Sequence, residues 1–271
     1  MKDRDALIAY VRRGGPRPFY YANAHEKDRV PVDLRLMPVR DARGIDAQVD
    51  REGFQLVRHR SAVTDWTDRA ALEAIHRDEV AALIQQQTGA DAVFVTSPGI
   101  LRYSEKSGKA GSSDNSHPAR FAHVDINDAT AAQFAERGAQ GRAFTRSAAY
   151  NLWRALSPPP QDVPLAFCDI RSVAAEDLIV ADAIFDPPPG PDGTAAPEWS
   201  FESWVVGHNP AHQWYYFPDL TAEEAVLFKT NDSDPTRAHC IPHVAFDDPL
   251  APADAPPRVS IEMRATAYWW A

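Results

Sequence analysis

Arg120-Phe121-Ala122-His123-Val124-Asp125-Ile126 is the stretch on which the fold is read. It has the length and apolar content of a short β-strand. In a strand, residues two apart point to the same face. His123 and Asp125 therefore share one side, and Val124 packs on the other. An imidazole and a carboxylate on one face can hold one metal ion. A second histidine from a remote strand completes the two-histidine, one-carboxylate arrangement that leaves positions open on Fe(II) for oxygen chemistry.

Working outward, Ile241-Pro242-His243-Val244-Ala245-Phe246 reads as another short strand and offers His243. His239 stands four residues earlier on the same ideal face, so periodicity does not choose between the two. Arg258-Val259-Ser260-Ile261-Glu262-Met263-Arg264 alternates cleanly. Arg258 and Ser260 share a face, where a guanidinium and a hydroxyl can grip one carboxylate of an acidic cosubstrate. The same alternation also describes an outer strand with one solvated face. Taken singly, each motif has a plain reading: a His-X-Asp is common, and the chain has nine histidines. Their order, each inside a strand, carries the argument.

The rest of the pattern predicts a mainly β fold. Strands are expected at Val30–Val39, Phe54–Arg60, Asp91–Thr96, Ser147–Arg154, Leu165–Ser172, Leu178–Phe185, Phe201–Gly207, His212–Phe217, Val226–Thr230, Ile241–Phe246 and Val259–Trp270. A helix is expected over Ala70–Gln87, entered through Asp65-Trp66-Thr67-Asp68 and ended by Thr88-Gly89. Its apolar positions are Leu72, Ile75, Val80, Leu83 and Ile84. Shorter helices are expected at Asp5–Arg13 and Thr130–Arg137. Pro158–Pro160 and Pro187–Pro197 read as loops. Tyr103–Pro118, rich in Ser, Gly, Lys and Asp, reads as a mobile surface loop placed where a lid would sit. Many short strands with one long helix predict a double-stranded β-helix, or jelly roll, with flanking α-helices. Such a barrel can hold a ligand in its mouth. Residues 1–271 are read as one domain, with 1–118 as strands and helix packing on the barrel and 119–271 as the barrel core.

Composition bounds the function. Of 271 residues, 44% are hydrophobic, enough for a sizeable core, and the net charge of −10 disfavours nucleic acid or an anionic membrane as partner. No apolar run approaches membrane-spanning length, and the first residues lack a signal-peptide pattern. With only Cys168 and Cys240, the expectation is a cytoplasmic protein with reduced thiols. A homodimer is the default assembly.

The ordered series Ala122-His123-Val124-Asp125, Asn151-Leu152-Trp153-Arg154-Ala155-Leu156, Pro164 to Asp169, Trp214-Tyr215-Tyr216-Phe217, Phe228-Lys229, Asp232-Ser233, Pro242-His243 and Arg258 to Arg264 resembles the hydroxylase/desaturase family of natural-product biosynthesis. That family includes gibberellin-desaturase-like proteins and a subunit associated with cephamycin methoxylation. Gly53-Phe54, Ser61 to Asp65 and Thr88-Gly89-Ala90 also fit, so the resemblance runs from about Val30 onward. One departure is Ala155, where proline often follows Trp-Arg in the family. The resemblance implies non-haem Fe(II), 2-oxoglutarate, dioxygen and a small-molecule secondary metabolite as substrate, hydroxylated or desaturated. It implies His123, Asp125 and His243 as metal ligands, preferring His243 over His239. It implies Arg258, with Ser260, as the anchor for the distal carboxylate of 2-oxoglutarate. Asn151 is a further candidate for the cosubstrate pocket. Arg264 is expected to pair with Glu262, and Arg102 to make a surface ion pair. Rival readings are a non-catalytic metal-binding barrel subunit assisting a partner enzyme, a non-haem iron oxygenase independent of 2-oxoglutarate, and a zinc hydrolase using metal-bound water.

Overall fold

A computed structural model describes residues 1–189, 193–194 and 197–271. Among the described residues fifteen strands run in chain order: β1 (Arg4–Val11), β2 (Phe19–Tyr21), β3 (Val32–Asp41), β4 (Phe54–Arg58), β5 (Ala92–Val95), β6 (Ile100–Tyr103), β7 (His123–Val124), β8 (Phe144–Ala155), β9 (Leu165–Cys168), β10 (Leu178–Phe185), β11 (Trp199–Val206), β12 (Trp214–Tyr216), β13 (Glu224–Asp232), β14 (His243–Ala245) and β15 (Val259–Trp270). They form a nine-stranded sheet, ordered β1-β3-β12-β9-β14-β7-β11-β10-β2, and a six-stranded sheet, β4-β13-β8-β15-β5, in which β6 also pairs β15. This is the jelly roll expected from the spacing of strand signals. Strands from the first 118 residues extend both sheets rather than forming a separate layer.

The inner faces of the two sheets bury one aromatic cluster. Phe54, Trp153 and Phe228 from the smaller sheet meet Phe167 and Tyr215 from the larger. Successive residues then part to opposite faces, as the pleat demands. Tyr215 joins this inner cluster while Trp214 and Tyr216 pack on the far side with Ile8, Tyr10 and Val39. The outer face of the smaller sheet is covered by the helical segment Arg69–Ala71 (α1), Leu72–His76 and Arg77–Thr88 (α2).

That helix starts where expected, with the Asp68 carboxylate accepting from the amides of Ala70 and Ala71, and ends at Gly89 in the left-handed region, φ 67°. Leu72–His76 is a π-helical turn, which advances the helix phase. The predicted stripe therefore slips: Ile75 is 37% exposed, and His76 is buried in its place. The predicted helix at Asp5–Arg13 is instead strand β1. Ala6, Ile8 and Tyr10 alternate toward the same buried layer as Trp214 and Tyr216, and the strand pairs with β3 along its whole length, from Arg4↔Val39 to Val11↔Val32. Tertiary pairing overrides a weak local helix pattern. The helix predicted at Thr130–Arg137 is α3 (Asp128–Ala139), capped by Asn127 through the Thr130 amide. The predicted loop at Pro187–Pro197 lies partly, at 190–192 and 195–196, outside the described residues. Among the described residues no helix is long and apolar enough to cross a membrane.

Gly53 locks the segment leading to β14. It has φ +96°, and a Cβ there would lie 1.7 Å from the Ile241 side chain. Gly53→Ala is expected to cost about 2 kcal/mol or more, from backbone strain together with overpacking. Urea unfolding monitored by circular dichroism checks this, and a neutral substitution would mean the contact relaxes freely.

Candidate metal centre

The two histidines that lie 120 positions apart in sequence are direct neighbours in the sheet. β14 pairs with β7, with His243 in register opposite His123, and His243 also faces Phe167 on β9. Their ring centroids are 4.3 Å apart. Each ring is turned by the same local device: Nδ1 of His123 meets the carbonyl of Phe121 at 2.9 Å, and Nδ1 of His243 meets that of Ile241 at 3.0 Å. A carbonyl accepts only, so Nδ1 carries the proton and Nε2 is left with its lone pair. Both Nε2 atoms face the carboxylate of Asp125, at 3.7 Å from Oδ1 for His123 and 3.9 Å from Oδ2 for His243. One ligand atom from each of the three residues lies within 4.8 Å of the others, the single such cluster found among the described residues. His239 is not part of it; its ring bridges Asp128 and the carbonyl of Asp232.

Asp125 is buried, and both its oxygens are held by protein donors. The Asn151 amide donates to Oδ2 at 2.6 Å, and the Arg264 guanidinium donates to Oδ1 at 3.0 Å. Burial alone would raise the acid's pKa. The Arg264 charge, the largest opposing influence, outweighs it and holds the carboxyl well below its ordinary range. Burial, reinforced by the neighbouring His123, pushes His243 down to about 4, so its ring is neutral at physiological pH. A neutral His243 and an ionised Asp125 are in the protonation state that a divalent ion needs. The donor set, two nitrogens and one oxygen, fits Fe(II).

Arg264 does pair with Glu262, at 2.9 Å, as alternation suggested, but its second partner Asp125 is the contact that sequence reasoning missed. The available signal was register. Asn151 on β8 lies opposite Arg264 on β15, and both point inward. Arg102 binds Glu262 at 3.1 Å as an ion pair, but with a side chain only 12% exposed it is not at the surface. Arg102 also donates to carbonyls of Asn115 and His117 and so pins the segment predicted as a mobile loop.

Arg258 and Ser260 are buried deeper along the same inward face. Arg258 donates through Nη1 to the carbonyl of Val163 at 2.7 Å. Its Nε and the Ser260 hydroxyl have no hydrogen-bond partner among the described residues. Burial first, with the charges of Arg102 and Arg120, lowers the guanidinium pKa to about 10, leaving it charged at neutral pH. A buried cation and hydroxyl with unmet donors fit an anionic ligand such as a carboxylate. Asn151, the third cosubstrate candidate, directs its amide nitrogen to Asp125.

Two cavities meet at the centre. The smaller, about 300 Å³, is bordered by His123, Asp125, Arg102, Arg120 and His117. The larger, about 530 Å³, is bordered by Asp125, Asn151 and Arg264 at its base. Asp125 and Arg264 border both.

A jelly roll with a two-histidine, one-carboxylate cluster beside its cavities defines the class of non-haem iron oxygenases. Comparison with known proteins narrows this. Residues 8–268 match the family model described as an oxidoreductase/YMDC permease-like domain. The chain is 31% identical over 252 residues to the alpha-ketoglutarate-dependent dioxygenase phiK of a fungal species, covering 88% of this chain and 85% of that one. It is 30% identical to the Fe(II)/2-oxoglutarate-dependent dioxygenase nvfI of Aspergillus novofumigatus, covering 98% and 96%. It is 29% identical to the hydroxylase/desaturase efuI of Hormonema carpetanum, covering 89% and 86%. The fold is also that of the solved iron and alpha-ketoglutarate-dependent endoperoxidase NvfI, with a TM-score of 0.79 at 24% identity over 99% of this chain and 98% of that one. The chain belongs to this family of Fe(II)/2-oxoglutarate-dependent dioxygenases and hydroxylase/desaturases.

Two predictions follow from the electrostatics. Arg264→Met leaves the buried acids Asp125 and Glu262 short of a counter-charge, so the metal-free protein should lose roughly 3 kcal/mol. Saturating Mn(II) should restore part of that loss by neutralising Asp125; urea titrations with and without Mn(II) measure both. The neutral His243 has a folded pKa below its unfolded value of about 6.5. As pH falls through 6.5 the unfolded chain gains a proton that the folded one refuses. Stability of the metal-free protein should therefore drop between pH 6.5 and about 4, with His243 contributing up to ~3 kcal/mol. His243→Asn should flatten the slope, and an unchanged slope would remove His243 from the account.

Proposed function

We propose that His123, Asp125 and His243 hold the Fe(II) with which this enzyme oxidises a small-molecule secondary metabolite, and that Arg258 with Ser260 holds the distal carboxylate of 2-oxoglutarate. The observation that carries this reading is the convergence of one ligand atom from each of the three residues within 4.8 Å. Family membership then selects 2-oxoglutarate among the cosubstrates such a centre can use. Bound Fe(II) and 2-oxoglutarate supply the chemistry, activating dioxygen for oxidation of a C–H bond as 2-oxoglutarate is converted to succinate and carbon dioxide.

The chain's own residues do four things. The Phe121 and Ile241 carbonyls fix both imidazoles with Nε2 toward the ion. Asn151 and Arg264 hold Asp125 by both oxygens, which fixes the carboxylate plane and disfavours a shift in its binding mode. Arg258 and Ser260 meet a carboxylate with donors that are otherwise unsatisfied. The buried walls around the cluster exclude bulk water, which strengthens each of these interactions. Hydroxylation and desaturation share all these elements, and the substrate's pose selects between them. Both cysteines are buried and free, which supports a reducing, cytoplasmic setting.

The test is succinate release by the Fe(II)-loaded protein on a candidate metabolite, with and without 2-oxoglutarate. His123→Ala, Asp125→Ala and His243→Ala should each reduce it at least ~100-fold with loss of bound iron. Arg258→Ala should raise KM for 2-oxoglutarate by about 10- to 100-fold while iron is retained. Substrate oxidation that persists without 2-oxoglutarate would overturn the reading.

A further inference from the structure

A third cavity, of about 520 Å³, shares no lining residue with the two beside the metal cluster. It lies where the end of β4, the edge strand of the smaller sheet, meets the start of β13. Arg58, His59 and Arg60 border it. The neighbours of the two arginines leave them free. Arg58 stands in register opposite Glu224, its natural partner across the ladder. That carboxylate is already taken: Arg43 forks onto it at 2.8 and 2.9 Å, and the Thr221 amide donates to it at 3.1 Å. Asp219, also on the cavity, is held by Lys2. The Arg58 and Arg60 side chains are exposed and make no hydrogen bond or ion pair among the described residues. Against these two guanidiniums stands one carboxylate without a partner among the described residues, that of Glu223.

A buried cation behind this wall adds to the positive excess. Arg154 on β8 is 1% exposed, and among the described residues no carboxylate pairs with it. It donates to the carbonyls of His59 and Ala222 and to Nδ1 of His59, the last at 2.7 Å, while its Nε has no partner. Glu79, the acid whose charge it feels, is engaged by the Ser61 hydroxyl, the Ala62 amide and His76. A buried guanidinium so poorly balanced is costly for a fold that gains nothing from it. The bond to His59 also sets that ring's tautomer. A guanidinium only donates, so Nδ1 accepts and the ring proton sits on Nε2. Burial, reinforced by Arg154, lowers the His59 pKa and keeps the ring neutral. Its Nε2–H has no partner among the described residues and is left to donate at the cavity wall.

We propose that this cavity is a second ligand site, separate from the metal centre, and that Arg58, Arg60 and the His59 Nε2–H together bind the dianionic phosphate group of a small monoester. Guanidinium forks match phosphate oxygens in pairs, and the imidazole N–H supplies a donor for a third oxygen. Two guanidiniums, with Arg154 behind them, favour a dianion over a monoanion. The volume exceeds what a phosphate group alone fills, so the ester's organic part has room beside it. Glu223 is the one group that opposes such a ligand.

The experiment is anaerobic isothermal titration calorimetry of the protein saturated with Fe(II) and 2-oxoglutarate, so that Arg258 is already occupied. Phenyl phosphate and its monoanionic counterpart phenyl sulfate are titrated separately at one ionic strength. Phenyl phosphate should bind saturably to one site, at least about five-fold more tightly than phenyl sulfate. Arg58→Gln combined with Arg60→Gln, both at exposed positions, should weaken it at least about ten-fold with the thermal midpoint unchanged. Glu223→Gln, which removes the opposing charge, should tighten it about two- to three-fold. Absence of saturable binding, equal affinity for phenyl sulfate, binding that survives the double substitution, or weaker binding in Glu223→Gln would overturn the proposal.

Discussion

The register of one antiparallel pair governs this molecule: His243 on β14 lies opposite His123 on β7. A slip of one residue would send either imidazole to the other face of the sheet, into the apolar layer where Val124 and Val244 now sit. The flanking pairs protect the register. β14 is held on its other side by β9, through three consecutive partners from His243↔Phe167 to Ala245↔Leu165, and β7 is held by β11. Two very short strands are thus fixed by longer neighbours. The candidate metal centre draws its two histidines from the middle of a nine-stranded sheet rather than from a loop.

Electrostatics completes what register begins. A buried carboxylate between two imidazoles is costly without compensation. The compensation comes from the opposite sheet: Asn151 on β8 and Arg264 on β15 reach across the barrel to Asp125. Arg264 is itself balanced by Glu262, and Glu262 by Arg102. This chain of alternating charges ties the two sheets together beside the cavities. It also keeps Asp125 ionised in the absence of a cation. The carboxylate is therefore preorganised, and a divalent ion would not have to displace a proton from it.

Much of this was legible in the sequence. His123-Val124-Asp125 in a strand puts both side chains on one face by period alone, and the alternation of Arg258 to Arg264 shows one polar face, whose inward direction only the fold reveals. The long helix showed both its ends, at Asp68 and Gly89. The misses have identifiable causes. β1 carries a local pattern compatible with helix and becomes a strand only because β3 is available to pair with it. The exposed Ile75 follows from a π turn that no periodicity rule anticipates. Arg264 was read through its neighbour two residues away, Glu262, because cross-sheet partners such as Asp125 are set by topology, which a single chain does not print. The choice between His239 and His243 likewise rested on resemblance, and the structure brings His243 to the cluster while His239 turns to Asp128.

The most direct measurement is a crystal structure of the protein grown anaerobically with Fe(II) and 2-oxoglutarate. The account predicts one iron ligated by Nε2 of His123, Nε2 of His243 and a carboxylate oxygen of Asp125, with Arg258 and Ser260 on the far carboxylate of the cosubstrate. Iron bound elsewhere, or bound by His239 in place of His243, would contradict it.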